Sequence, residues 1–97
     1  MKYDFVLHEN VVLRLEAAVN WYDEQQVGLG DDFIEEFKIL LDYIGQMPFG
    51  FAIAFGDYRQ VMLKRFPFVI LYKVEGKTIE ISNLIHAKQH PGKRKGK

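Results

Sequence analysis

Four basic side chains in the second half of this 97-residue chain could do phosphate chemistry: Arg59, Lys64, Arg65 and His86. Cleavage of an RNA phosphodiester needs a base for the 2′-hydroxyl, cations for the pentacoordinate phosphate and an acid for the leaving oxygen. Histidine titrates near neutral pH, and arginine binds phosphate through two N–H donors at once. We therefore predict these four residues as candidate catalytic residues.

The same residues also have structural interpretations. Arg59 and Val61 are two residues apart in a predicted strand, so their side chains lie on the same face. In this interpretation Arg59 lies at the sheet rim and forms an ion pair with an acidic helix residue. His86 would then be a histidine at a strand end that hydrogen-bonds to the backbone. Lys64 and Arg65 lie beside a predicted turn, where basic side chains are usually solvated or contact a partner.

The first half of the chain predicts a strand followed by a helical hairpin. Residues 2–7 alternate weakly and indicate a strand at a sheet edge. Apolar residues at helical spacing predict a helix over residues 10–26, with Asn10 as its N-cap. After a glycine break, a second helix begins at residues 31–32, where two aspartates suit the exposed amides, and it stops before Pro48.

The second half predicts strands. Residues 51–55 and 58–64 read as strand, turn and strand, with Gly56 in the turn. Pro67 interrupts the pattern and favours a reversal before the next run. Residues 68–74 are almost wholly apolar, as expected of a central strand that is covered on both faces.

The last predicted strand, residues 78–85, sets the expected position of His86. Its alternation predicts that Ile79, Ile81 and Ile85 face the helices. His86 should then lie on the open face of the sheet or just past the strand end. The apolar stripe of the helical hairpin must be buried against these strands, which predicts an α+β fold with the hairpin on a mainly antiparallel sheet of four to five strands.

Composition bounds the class of protein. The length suits one domain, predicted over residues 1–91, with a basic tail at 92–97. Cysteine is absent, and no apolar run reaches the length of a membrane span, so we expect a cytoplasmic protein without membrane contacts. The formal net charge is zero, but residues 1–50 carry three Lys/Arg against ten Asp/Glu and residues 51–97 carry ten against three. Such a division can present a positive face to phosphates or to an acidic partner.

Two further features concern partners and metals. Trp21 falls off the main helical stripe and is predicted to mark a partner-binding edge, and Lys93 and Arg94 in the tail are predicted to contact a partner. His86 and His90 have the i, i+4 spacing of a metal pair on a helix, but no third ligand is near in sequence. No metal or other cofactor is predicted.

The order of elements and a set of short motifs resemble the RelE/ParE toxin superfamily over residues 3–91. The residues that carry the resemblance are Trp21, Tyr22, Pro48, Gly50, Arg59, residues 65–72 (RFPFVILY), His86, His90 and Pro91. The resemblance implies a helical hairpin backing a curved antiparallel sheet. It also implies the toxin of a type II toxin-antitoxin (plasmid stabilisation) module, which a small cognate antitoxin wraps and blocks.

Functions divide within this superfamily. RelE-like members cut messenger RNA in the ribosome, whereas ParE-like members poison DNA gyrase. Residues 66–68 (FPF) with Ile70 and Tyr72 look closer to the ParE side. A tryptophan commonly follows the proline near the end of ParE-like chains, but Lys93 and Arg94 occupy that region here. The resemblance thus leaves a gyrase-binding toxin, an RNA endonuclease and a non-toxic descendant open, and it leaves a homodimer possible.

Overall fold

The computed structural model describes residues 2–89 of the chain. Within them, two helices pack on a five-stranded sheet of order β1-β5-β4-β3-β2, in which β1 pairs with β5 in parallel and the other pairs are antiparallel. The elements are β1 (Asp4–Leu7), α1 (Glu9–Gln25), α2 (Leu29–Gln46), β2 (Ile53–Phe55), β3 (Tyr58–Met62), β4 (Phe68–Glu75), β5 (Thr78–His86) and a final 3₁₀ turn (Ala87–Gln89).

The predicted helices and strands agree with these elements to within a few residues at their ends. β1 lies at a sheet edge, as predicted. No helix among residues 2–89 combines the length and the apolar character needed to cross a membrane. The boundary between a domain ending at residue 91 and a basic tail lies outside the described residues.

The helical hairpin depends on two glycines. Gly28 precedes α2 with φ of 91°, a left-handed conformation that glycine adopts without steric cost. Gly30 lies where α2 approaches α1, and a Cβ there would stand 2.6 Å from the Val19 carbonyl oxygen. Only a residue without a side chain allows the two helices to come this close.

The predicted N-cap of α1 was wrong. The helix begins at Glu9, and His8 is the N-cap residue without a side-chain capping bond. Asn10 lies inside the first turn, and its amide nitrogen instead reaches Oδ1 of Asn83 on β5, 3.3 Å away. The polar side chain thus connects two elements rather than capping one.

The core lies between the hairpin and the sheet. An aromatic cluster of Tyr22, Phe33, Phe66 and Phe68 occupies one end, with ring centroids 4.8 to 6.4 Å apart. Tyr72 is fully buried further along β4, and its hydroxyl donates to the Pro48 carbonyl oxygen at 2.6 Å. Burial raises the pKa of Tyr72 to about 12. The other fully buried side chains of this core are Val11, Phe33, Ile44, Ile70, Ile79, Ile81 and Leu84.

A β-bulge in β5 overturns the predicted parity of its last residues. Leu71 of β4 pairs with Asn83, whereas the next residue, Tyr72, pairs with Ile81, so Ser82 is an extra residue on β5. Beyond the bulge the side chains change faces. Leu84 is buried toward the helices and Ile85 is not, so the prediction that Ile85 faces the helices was wrong.

Candidate functional site

Arg59 acts as an anchor for the loop between α2 and β2. Its Nη1 donates to the carbonyl oxygens of Phe51 at 2.8 Å and Phe49 at 3.3 Å, and its guanidinium lies 5.4 Å from the centroid of the Phe49 ring. Among residues 2–89 the Arg59 side chain forms no ion pair with an acidic helix residue, so that part of the structural interpretation was wrong. Backbone carbonyls take that place, which leaves fewer of its donors for a phosphate.

Lys64 and Arg65 lie on the β3–β4 turn, which α2 holds in place. Both of their backbone N–H groups donate to the carboxylate of Glu36. The Arg65 guanidinium also pairs with Asp32, with 3.3 Å between Nη2 and Oδ2, and lies over the Phe66 ring. This side chain is 60% exposed, so solvent weakens the pair.

The alternation predicted that His86 lies on the open face or just past the strand end. His86 is instead the last residue of β5 and faces the helices, because it follows the bulge and pairs with Phe68. Its ring stands edge-on to the Phe68 ring at 5.1 Å between centroids. The backbone N–H of Lys88 donates to His86 Nδ1 at 3.1 Å, which is the backbone bond of the structural interpretation. A neutral ring with Nδ1 as acceptor carries its proton on Nε2, so it offers a proton donor and no free lone pair for a base.

The four predicted catalytic residues do not form one site. Arg59 pairs with Tyr72, and His86 pairs with Phe68. Four residues of extended strand separate these positions along β4, about 13 Å. The turn that carries Arg65 does lie beside the end of β5, where His86 is. The Ala87 N–H donates to the Pro67 carbonyl oxygen at 2.7 Å and joins the end of β5 to the β3–β4 turn.

An apolar groove, here named the α1 groove, lies between α1 and the ends of β4 and β5. It consists of two adjoining cavities of about 250 and 270 Å³ that share Ala18, Phe68 and His86. The other lining residues are Arg14, Ala17, Trp21 and Tyr22. Two of the lining residues are small alanines, so the backbone of a partner could approach α1 closely.

An exposed apolar stripe extends the α1 groove along the outside of α1. Leu13, Ala17 and Trp21 are spaced i, i+4 and i+8, which puts them on one side of the helix over about 12 Å. Leu13 is 58% exposed and Trp21 is 56% exposed. The sequence pointed to Trp21 alone, and the same spacing rule would have found Leu13 and Ala17 beside it.

Polar groups border the α1 groove at one end. Arg14 Nη1 lies 3.4 Å from the Leu84 carbonyl oxygen, and this exposed guanidinium has further donors. His86 supplies its Nε2–H on the facing wall. Lys93 and Arg94, which the sequence predicted as partner contacts, lie outside the described residues.

The opposite face of the sheet carries a charged cluster that sequence reasoning missed. His8 Nε2 lies 2.6 Å from Glu80 Oε2, and Lys73 Nζ lies 3.8 Å from Glu80 Oε1 and 3.7 Å from Glu75 Oε2. The hydrogen bond from His8 lowers the pKa of Glu80, and Glu75 raises the pKa of Lys73. His8 and Glu80 are 72 residues apart, so no local pattern indicates this contact.

Comparison with known proteins gives a likeness in fold. No protein-family model matches the chain, and no curated protein matches it. One solved structure with a similar chain is described as the chromosomal ParDE TA (toxin-antitoxin) system from P. aeruginosa. The two chains have a TM-score of 0.77 at 17% sequence identity, over 88% of this chain and 96% of that one. The predicted α+β fold is thereby confirmed: this chain has the fold of that ParDE-system chain.

Proposed function

We propose that this chain is the toxin of a type II toxin-antitoxin module, of the ParE-like kind, and that a cognate antitoxin neutralises it. The observation that carries the proposal is the likeness in fold to a ParDE-system chain across nearly the whole length of both chains. The motifs that resemble the RelE/ParE superfamily support it from the sequence side. A toxin of this kind acts in the cytoplasm, where its target and its antitoxin are made.

The α1 groove is the antitoxin-binding surface in this proposal. It is lined mainly by apolar side chains, two of them alanines, and the exposed stripe beside it extends over about 12 Å, or about two helical turns. It therefore suits the apolar side of an amphipathic helix. Arg14 and the Nε2–H of His86 at its border favour an acidic side chain on that helix. Trp21 supplies the large exposed aromatic surface that interface hot spots are rich in.

A protein target fits this chain better than RNA. The chain has thirteen Lys/Arg against thirteen Asp/Glu, a formal net charge of zero, so it has no excess of positive charge for binding RNA. Arg59 is bonded to backbone carbonyls, Arg65 is paired with Asp32, and the Nδ1 lone pair of His86 accepts a backbone hydrogen bond. A ribosome-docking nuclease must instead offer cations to many phosphates. We therefore propose DNA gyrase as the target, following the ParE-like resemblance.

One feature favours the alternative of an mRNA endonuclease. The bond between Ala87 and Pro67 brings the β3–β4 turn, with Lys64 and Arg65, to the end of the sheet that carries His86. In that alternative the His86 Nε2–H would donate a hydrogen bond to the scissile phosphate, and the two turn cations would stabilise its negative charge.

The experiment is controlled expression of the full chain in bacteria, followed by viable counts, plasmid supercoiling and mapping of transcript 5′ ends. The proposal expects loss of viability, inhibition of purified gyrase and intact ribosome-bound transcripts. Transcript cleavage at ribosomal A sites that is abolished by His86→Ala would establish the nuclease alternative instead. Unchanged growth would point to a non-toxic descendant.

Antitoxin binding is tested with the protein encoded by the neighbouring reading frame. Trp21→Ala should weaken its binding by about 30-fold or more, as expected when a central aromatic hot spot is truncated. Tyr43→Ala is the matched control, because Tyr43 is an aromatic residue 49% exposed on α2, away from the groove. Equal affinities for wild type, Trp21→Ala and Tyr43→Ala would refute the α1 groove as the binding surface.

A further inference from the structure

The outer edge of the sheet has a self-complementary sequence. Residues 51–55, FAIAF, read the same in both directions about Ile53. Two copies of this segment that pair in antiparallel orientation place Ile53 opposite Ile53, Phe51 opposite Phe55 and Ala52 opposite Ala54. This is the symmetry that a two-fold, isologous interface requires.

The backbone of Ile53 faces away from the sheet. β2 is the last strand in the sheet formed by residues 2–89. The Gln60 N–H donates to the Ala52 carbonyl oxygen at 2.9 Å, so Ala52 directs its carbonyl toward β3. Because successive residues of a strand direct their N–H and C=O groups to alternate sides, Ile53 directs its own pair to the outer edge.

The side chains around this edge are apolar and exposed. Ile53 is 60% exposed, Phe49 is 61%, Met47 is 56% and Phe55 is 54%. No Asp, Glu, Lys, Arg or His occurs between residues 43 and 56. Natural sheet edges are usually protected by charged side chains or proline in the edge strand, and this one has neither within residues 51–55.

We propose that this edge binds a second copy of the chain, with a two-fold axis at Ile53 and a sheet that continues from one copy into the other. The two Ile53 residues exchange both N–H···O=C bonds. The register shift between Ile53 and Phe55 turns Phe55 toward Tyr58 of its own β3, so the strand pairing is short. The apolar contact of Ile53 and Phe49 with their symmetry copies supplies the rest of the interface.

The chain contains no cysteine, which allows a direct test of the axis with single-cysteine variants. In a hydrogen-bonded antiparallel pair the Cα atoms are about 5.5 Å apart, within the range that a disulfide spans. Ile53→Cys should therefore cross-link to its own copy under mild oxidation. Ile39→Cys is the matched control, since Ile39 is an exposed isoleucine (43%) on α2 and not in the edge strand.

The register is tested with two more variants. Ala52→Cys alone should cross-link slowly, whereas a mixture of Ala52→Cys and Ala54→Cys should cross-link rapidly, because the axis pairs these two positions. Sedimentation equilibrium of the uncross-linked full chain, from about 1 µM to about 1 mM, should show a dimer for wild type and Ile39→Lys and a monomer for Ile53→Lys.

Three results would overturn the proposal. They are a wild-type chain that stays monomeric over the whole range, a dimer that survives Ile53→Lys, and cross-linking of Ile53→Cys no faster than that of Ile39→Cys. The far-ultraviolet circular dichroism of each variant shows whether it is folded, and exposure of residue 53 makes folding of these variants the expected result. The edge is separate from the α1 groove, so Trp21→Ala should leave the dimer unchanged.

Discussion

Replacing Gly30 by alanine should destabilise this protein, although Gly30 lies inside a helix. Helix propensity alone favours alanine over glycine by about 1 kcal/mol. However, a Cβ at this position would stand 2.6 Å from the Val19 carbonyl oxygen and 2.8 Å from Val19 Cγ1. The first of these is a backbone atom of α1, so it cannot move aside as a side chain would.

The size of the effect follows from these two opposing contributions. Overpacking a closely packed interface costs about 1–3 kcal/mol, and the gain in propensity offsets part of that cost. The clash also disturbs the bond from the Gly30 N–H to Asp23 Oδ1, which is 2.7 Å long. We expect Gly30→Ala to lower the free energy of unfolding by about 1–2 kcal/mol, or to lower Tm by roughly 4–15 °C for a domain of this size.

The assay is urea unfolding followed by circular dichroism and by the fluorescence of Trp21, the only tryptophan in the chain. Gly45→Ala is the matched control in the same helix, because its Cβ would meet only the Phe5 ring carbons at 3.4 Å. That variant should be as stable as wild type or up to about 1 kcal/mol more stable. A Gly30→Ala chain at least as stable as Gly45→Ala would refute the inferred close approach of α1 and α2.

Two other contacts can be tested in the same way. Tyr72→Phe should lower the free energy of unfolding by about 1–3 kcal/mol, because the buried Pro48 carbonyl oxygen loses its donor. Tyr43→Phe is the control: this tyrosine is on the surface, so its urea midpoint should equal that of wild type. Glu80→Gln should be less stable than wild type at neutral pH, because the His8 contact lowers the folded-state pKa of Glu80. A lowered pKa stabilises the fold at pH values above the usual pKa of 4.5, and this contribution is lost as the pH falls through the folded-state pKa. The urea midpoints of wild type and Glu80→Gln should therefore converge in acid. A gap between them that stays constant with pH would contradict this.

Much of the fold follows from local patterns. The helical stripes, the glycine break and Pro67 predict the hairpin and most strands to within a few residues, because each reports a local backbone preference. The N-cap at Asn10 failed for a tertiary reason, since its side chain bonds to Asn83. One local pattern could have predicted the bulge. In an unbroken strand Asn83 would lie on the same face as Ile79 and Ile81, which would bury its polar amide.

The candidate site depended more on tertiary contacts. Sequence predicted Arg59 and His86 as members of one catalytic group, but their strand partners lie four residues apart on β4. The α1 groove combines one helix with the ends of two strands distant in sequence. The exposure of Trp21 agrees with its predicted position off the apolar stripe, and its role in binding remains a prediction for the antitoxin experiment.

The sequence by itself determined the element types, their order and the α+β class, because periodicity and turn residues act over a few residues. Only the tertiary structure decided which way His86 points. The extra residue at Ser82 arises from the pairing of β5 with β4, and a single added residue moves every later side chain to the other face. That one register shift takes His86 from the open face of the sheet to the wall of the α1 groove.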